Sequence, residues 1–170
     1  MIFEDRRTDW PRWVPMAVLA ASVGALATAY TVELAFGLEP CILCIYQRIP
    51  YAVAGVLGLL ALLLPRGRYR VWAVASCGAA FVTGAGIAFY HVGVEQHWWM
   101  SVASCGSSGG GPEPKIVEDL RTLLLAKPPK ACDEIGWTLF GLSMATYNVA
   151  ASLALAYGAF WGAQRMRRTT

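Results

Sequence analysis

The sequence predicts an all-α integral membrane protein: a four-transmembrane-helix bundle forming one domain over residues 1–170, with a short amphipathic interfacial helix in its second outer loop. Hydrophobic residues make up 56% of the 170 residues and charged residues only 15%, an apolar excess that a water-soluble domain does not need. Four runs contain almost no charge, and each reaches the roughly 20 residues needed to cross a bilayer core.

The four runs predict spans at about 14–35, 45–64, 71–94 and 137–162, with outer loops at about 36–44 and 95–136. Glu33 and Arg48 are the only formally charged residues within these spans. The first run is preceded by arginines, as a cleavable secretion signal would be. It is longer than the roughly 7–15-residue core of such signals, so we expect it to remain as a helix.

The placement of arginine predicts the orientation. Three arginines precede the first span, three lie in the loop PRGRYR, and three lie in the C-terminal tail, whereas the loop at 36–44 contains neither lysine nor arginine. Short positively charged segments stay in the cytoplasm. Both termini are therefore expected inside, and the two loops outside. Arginines in tails and a tight loop beside spans do not indicate a nucleic-acid role.

Four of the five cysteines fall in the outer loops, on the side of the membrane where disulfides persist. Cys41 and Cys44 form a C-x-x-C motif, which suits a disulfide that opens and closes. Cys105 and Cys132 lie 27 positions apart. Cys77 lies alone in the third span, where we expect it to be a small buried core residue.

The segment PKIVEDLRTLLLAKPPK, between the cysteines of the second pair, has apolar residues at helical spacing. It is too short to span a bilayer and is typical of a helix lying in the headgroup plane. Spacing alone does not decide whether Cys105 and Cys132 form a redox pair or an ordinary structural disulfide. Four thiols could also bind zinc, but structural zinc sites usually combine two short knuckles, so no metal is expected.

Arg48 needs an explanation, because a charge within a span is costly without a partner. It could extend to the interface. Alternatively, a helix beginning near Cys44 places both residues on one face, where the cation and the helix N-terminus would favour a thiolate. A lipid-soluble quinone could accept the electrons, since no haem or nucleotide motif is present. His91, at the outer end of the third span, could assist proton transfer.

The segments PCILCIYQR, YHVGVE and CDEIGWTLFGLSMATYN resemble the disulfide bond formation protein B (DsbB) family, over nearly the whole chain. The resemblance implies a quinone-dependent thiol oxidase of the bacterial inner membrane. It would reoxidise a periplasmic thioredoxin-fold disulfide donor similar to DsbA. By position, Cys105 and Cys132 would meet this partner, with Cys105 forming the mixed disulfide, and electrons would pass to Cys41 and Cys44.

The resemblance also implies a quinone site in which Cys44 faces the quinone, Arg48 stabilises a charged intermediate, and His91 and Trp137 lie nearby. Ubiquinone is the family default, and menaquinone is equally compatible with these residues. The glycine-rich stretch CGSSGGGP leaves the reach and partner preference of the loop open.

Three other classes of protein are compatible with parts of the pattern. A vitamin K epoxide reductase-like enzyme would also combine four helices, quinone and thiols, but it would place its C-x-x-C late in the bundle. A non-catalytic membrane protein could have two structural disulfides in its outer loops. A metal-binding membrane module would release bound zinc on alkylation.

Overall fold

The structure, a computed structural model, describes residues 10–37, 40–65, 67–99, 132 and 138–169. These residues form four helices and one short hairpin: α1 (Trp10–Phe36), α2 (Ile42–Leu63), α3 (Arg68–Glu95), β1 (Thr138–Leu139), β2 (Leu142–Ser143) and α4 (Met144–Thr169). The described residues do not include Cys105, Trp137 or the segment of the predicted interfacial helix.

The fourth helix begins later than the sequence predicts. Residues 138–143 instead form an antiparallel hairpin in which Thr138 pairs with Ser143. Phe140 and Gly141, at the turn, both have positive φ, a conformation that glycine adopts readily. The Ser143 hydroxyl then accepts the backbone N–H of Thr146 at 3.3 Å, as an N-terminal cap does, and α4 starts at the next residue.

Three of the four helices, α1 to α3, are long and apolar enough to cross a membrane. The fourth has a similar length, but it combines many alanines with Asn148 and tyrosines, which makes it less apolar. Within the described residues, length and composition therefore support three spans, where four were predicted.

The helices pack around α3, which contacts both α2 and α4, while α1 packs mainly on α2. Few residues separate α1 from α2 and α2 from α3, and such short connections join antiparallel neighbours in helical bundles. Cys77 is fully buried in the central cluster, so the prediction that it is a core residue is confirmed. That cluster draws on all four helices: Val18, Tyr51, Ala54, Cys77, Phe81, Ala156 and Ala159.

Candidate functional site

Two free thiols mark the start of α2. The Sγ atoms of Cys41 and Cys44 lie 3.0 Å apart, and neither is in a disulfide. Cys41 is the N-cap residue of α2, and its sulfur accepts the backbone N–H of Cys44 at 3.4 Å. Because a disulfide needs sulfurs only about 2 Å apart, a small movement separates this dithiol from its oxidised form.

The surroundings of Cys41, which lies just before the first turn of α2, favour its thiolate. The two sulfurs lie within hydrogen-bond distance, so the Cys44 thiol can donate to a Cys41 thiolate, and Nε2 of His91 lies 3.6 Å from the Cys41 sulfur. The hydrogen bond from Cys44 contributes most to lowering the pKa of Cys41, and His91 adds to it, against burial, which raises the pKa. The sequence pattern favoured a thiolate at Cys44 instead, because the helix start was expected there.

Cys132 lies beside this dithiol. It is 1% exposed and disulfide-bonded, and it shares a buried cluster with Cys41, Leu43 and Val94, on which Cys44 packs. The structure therefore brings one cysteine of the second predicted pair to the first pair. A disulfide and a dithiol packed together can exchange through a thiolate.

A polar network inside the bundle orients His91. The Gln47 Nε2 atom lies 2.7 Å from His91 Nδ1. Asn148 donates to Gln47 Oε1 through its amide nitrogen, and its own oxygen accepts from the Tyr51 hydroxyl at 2.6 Å. An amide nitrogen only donates, so in this orientation of the Gln47 amide Nδ1 is the acceptor and the Nε2 atom carries a proton. The Nε2–H group therefore faces Cys41.

Sequence reasoning did not identify Gln47, Tyr51 or Asn148 as site residues. A signal was present for the amides, since uncharged polar residues within long apolar runs usually bond across helices. Tyr51 also contacts the hydroxyl of Ser152 at 2.9 Å, and Ser152 is fully buried. These residues extend the site about two turns into the bundle.

Glu95 at the end of α3 is a further site residue that the sequence reasoning missed. Its side chain is as buried as that of His91, at 6% exposure, and its Oε1 atom lies 3.7 Å from His91 Nε2. Its second oxygen has no hydrogen-bond partner among the described residues. A buried carboxylate in this state has lost hydration without full compensation.

Arg48 contacts α1. Its guanidinium lies 2.8 Å from a carboxylate oxygen of Glu33 and 4.7 Å from the ring centre of Tyr30. The partner that a charge within a span requires is therefore an acidic residue of the neighbouring helix. The sequence reasoning had considered Cys44 as that partner, one turn away on the same helix.

An apolar groove of about 720 Å³ lies between α2 and α3 and is lined by five residues from each. Two lining residues, Leu43 and Tyr90, also belong to or pack on the cluster around Cys41. The groove therefore starts beside the thiols and continues along the bundle surface to Val53 and Ala80. Its size is within the range of small-molecule sites.

Comparisons with known proteins identify the family of the chain. The family model "Disulfide bond formation protein DsbB" matches residues 11–162. A protein named Disulfide bond formation protein B from Xanthomonas axonopodis pv. citri is 39% identical over 160 residues, covering 88% of each chain. Proteins of the same name from Dechloromonas aromatica and Methylobacillus flagellatus are 32% and 34% identical, covering 75% and 79% of this chain and 76% and 82% of the relatives.

No solved structure gives a significant match to the chain. The family match extends over most of the chain, and α1 to α3 have the length and apolar composition of membrane spans. The protein is thus a membrane protein that takes part in thiol oxidation during disulfide bond formation, and it belongs to the disulfide bond formation protein B (DsbB) family.

Proposed function

We propose that the chain is a thiol:quinone oxidoreductase of the bacterial inner membrane that reoxidises a periplasmic thioredoxin-fold disulfide donor similar to DsbA. In this proposal α4 is the fourth span and both termini are cytoplasmic. The observation that carries it is the burial of the disulfide-bonded Cys132 in one cluster with Cys41, against which Cys44 packs. Such packing allows electrons to move from one cysteine pair to the other within a single chain.

The proposed relay begins with a partner thiolate, which attacks Cys105 of a Cys105–Cys132 disulfide. The partner leaves oxidised, and the pair becomes a dithiol. The Cys132 thiolate then attacks Cys41 of the Cys41–Cys44 disulfide and releases the Cys44 thiolate. Finally Cys105 attacks Cys132, restores the disulfide and releases Cys41 as a thiolate. Two electrons have then moved from the partner to the inner pair.

The surroundings of Cys41 favour the last of these steps. A thiol with a low pKa leaves faster in thiol–disulfide exchange, and the hydrogen bonds from Cys44 and the nearby His91 lower the pKa of Cys41. In the structure Cys132 is in a disulfide, whereas Cys41 and Cys44 are free thiols. This combination corresponds to the end of the relay.

The quinone site is proposed beside Cys44, which is more exposed than Cys41. The residues present fit a quinone, because the groove that starts at Leu43 offers an apolar surface. Arg48, which faces α1 and does not line this groove, supplies a cation about one turn from Cys44 along α2. When bound, the quinone would accept two electrons and two protons as the Cys41–Cys44 disulfide forms. The Nε2–H group of His91 would support the Cys41 thiolate. Trp137 is proposed from the family resemblance alone.

The test is the loss of quinone absorbance when full-length protein in detergent is mixed with a reduced thioredoxin-fold dithiol protein and either ubiquinone or menaquinone. We expect catalytic reduction by the parent protein and none by Cys44→Ala. The matched control is Cys77→Ala, which removes a thiol outside the relay and should remain active. If folded parent protein reduces neither quinone, the proposal is wrong and the cysteines are structural.

A further inference from the structure

We propose that the reduced Cys41 and Cys44, together with His91 and Glu95, form a binding site for Zn²⁺ at the end of the bundle where α2 begins and α3 ends. The sequence argued against zinc because the second cysteine pair has the wrong spacing for a knuckle. In the structure a histidine and a carboxylate from α3 take the place of that pair.

The distances suit a tetrahedral ion. The sulfur atoms of Cys41 and Cys44 and a ring nitrogen of His91 all lie within 4.8 Å of one another, with 3.0 Å between the sulfurs and 3.6 Å between Cys41 Sγ and His91 Nε2. With metal–ligand bonds of roughly 2.0–2.3 Å, the ligand atoms of tetrahedral zinc lie roughly 3.5 Å apart. Two zinc-bound sulfurs lie about 3.8 Å apart, so the sulfur pair would open by about 0.8 Å. Glu95 lies outside this group of three ligands and would complete the site by a movement of its side chain towards the sulfurs.

Glu95 supplies the observation that points to a cation. Its side chain is more than nine-tenths buried, one oxygen lies 3.7 Å from His91 Nε2, and the other has no hydrogen-bond partner among the described residues. A buried carboxylate is stabilised by a paired charge or a metal ion. Zn²⁺ between this carboxylate and the two sulfurs would neutralise it, and thiolate, imidazole and carboxylate are the ligand types that zinc prefers.

The network behind His91 can support a metal-bound ring. A metal on Nε2 leaves the ring proton on Nδ1, which then needs an acceptor. If the Gln47 and Asn148 amides both turn over, Gln47 Oε1 accepts from Nδ1 and Gln47 Nε2 donates to Asn148. Asn148 then donates to the Tyr51 hydroxyl. The orientation of amide groups is set by such networks, so the same residues serve both forms of the ring.

Zinc binding would withdraw the inner pair from disulfide exchange. Zinc binds both sulfurs as thiolates, so a proton still held by the pair is released as the ion binds, and no electron is transferred. The disulfide form offers no thiolate, so only the reduced protein would bind. The inference therefore concerns a state with free Cys41 and Cys44, which the structure describes, and it is tested without quinone or a protein partner.

The experiment uses full-length protein in detergent with Cys105→Ala and Cys132→Ala, which removes the other thiol pair. The reduced protein is titrated with Co²⁺ to record thiolate-to-cobalt charge-transfer bands, and with Zn²⁺ in competition with a chromophoric chelator. We expect one ion per chain with a thiolate–cobalt spectrum. In this background Glu95→Gln should weaken Zn²⁺ binding about tenfold or more, since even outer-shell changes cost about 10–100-fold.

Two further variants make the result decisive. Cys77→Ala removes a thiol outside the site and should leave affinity unchanged. Glu95→His replaces one zinc ligand type by another and should keep affinity within about tenfold of the parent, which separates loss of a ligand from loss of fold. The inference is overturned if no thiolate–cobalt bands develop, or if Glu95→Gln binds Zn²⁺ as tightly as its parent.

Discussion

The side-chain nitrogen of Gln47 lies 2.7 Å from Nδ1 of His91 and joins α2 to α3 inside the bundle. The same Gln47 side chain accepts a hydrogen bond from Asn148 of α4. Three helices therefore meet at one amide group. The orientation of that amide decides whether Nε2, the ring nitrogen of His91 that faces Cys41, carries a proton. The polar network connects the packing of the bundle to the chemistry of the thiols.

We predict that Gln47 and Asn148 stabilise the fold as a coupled pair. Gln47→Leu leaves His91 Nδ1 and the amide nitrogen of Asn148 without the partners they have in the structure, and unpaired buried polar groups cost about 1–3 kcal/mol. Asn148→Leu should cost a similar amount. The double variant should cost less than the sum, with a coupling of about 0.5–3 kcal/mol, measured as the free energy of unfolding in mixed detergent micelles. Strictly additive losses would contradict the network.

We predict that Cys41 reacts as a thiolate at unusually low pH. An ordinary cysteine has a pKa of about 8.5, and that of Cys41 is lowered. Its alkylation rate should therefore persist below the ordinary range and fall only as the pH drops through the lowered pKa. The measurement is the pH profile of iodoacetamide labelling of the reduced protein, with chelator present and the labelled peptide identified by mass spectrometry.

The variants for this pH profile change the donor at position 44. Cys44→Ala removes the contribution that lowers the pKa of Cys41 most, so the midpoint should move to higher pH. Cys44→Ser keeps a hydroxyl donor and should move it less. Equal profiles for the parent and the alanine variant would show that the hydrogen bond between the two thiols does not stabilise the Cys41 thiolate.

We predict that Arg48 acts on quinone more than on stability. Its side chain and that of Glu33 are 17% and 32% exposed, and partly exposed ion pairs contribute only about 0–1 kcal/mol. Arg48→Ala should raise the KM for quinone roughly tenfold, the equivalent of about 1.4 kcal/mol. Glu33→Gln, which removes the carboxylate partner, should leave that KM unchanged or lower it. If both variants raise KM equally, Arg48 instead serves to position α1.

We predict a contrast between two glycines of α3. A Cβ atom on Gly78 would meet the Phe160 ring at 2.9–3.1 Å, whereas one on Gly86 would meet nothing within 4 Å. Gly78→Ala should therefore destabilise the protein by about 1–3 kcal/mol through overpacking, and Gly86→Ala should be neutral or slightly stabilising. Unfolding in mixed micelles measures both. Equal effects would mean that α3 and α4 do not pack closely at Gly78.

The sequence by itself determined the class of the protein and much of its site. The length and low charge of the apolar runs predicted the helices, because a span needs a minimum apolar length. The C-x-x-C spacing placed the first pair together, since residues three apart at a helix start are neighbours. The burial of Cys77 followed from its place in a span, and the three family-like segments identified the family.

Only the tertiary structure decided the partners of the site residues. The contact between Cys41 and His91 joins positions 50 apart, and the bond between Gln47 and Asn148 joins positions 101 apart. The tertiary structure also shows that Arg48 pairs with Glu33, that Glu95 is buried, and that α4 begins at Met144. Apolar periodicity reports that a segment is helical. Which side chains meet depends on how each helix is rotated and packed against its neighbours, and that is set by the whole bundle at once.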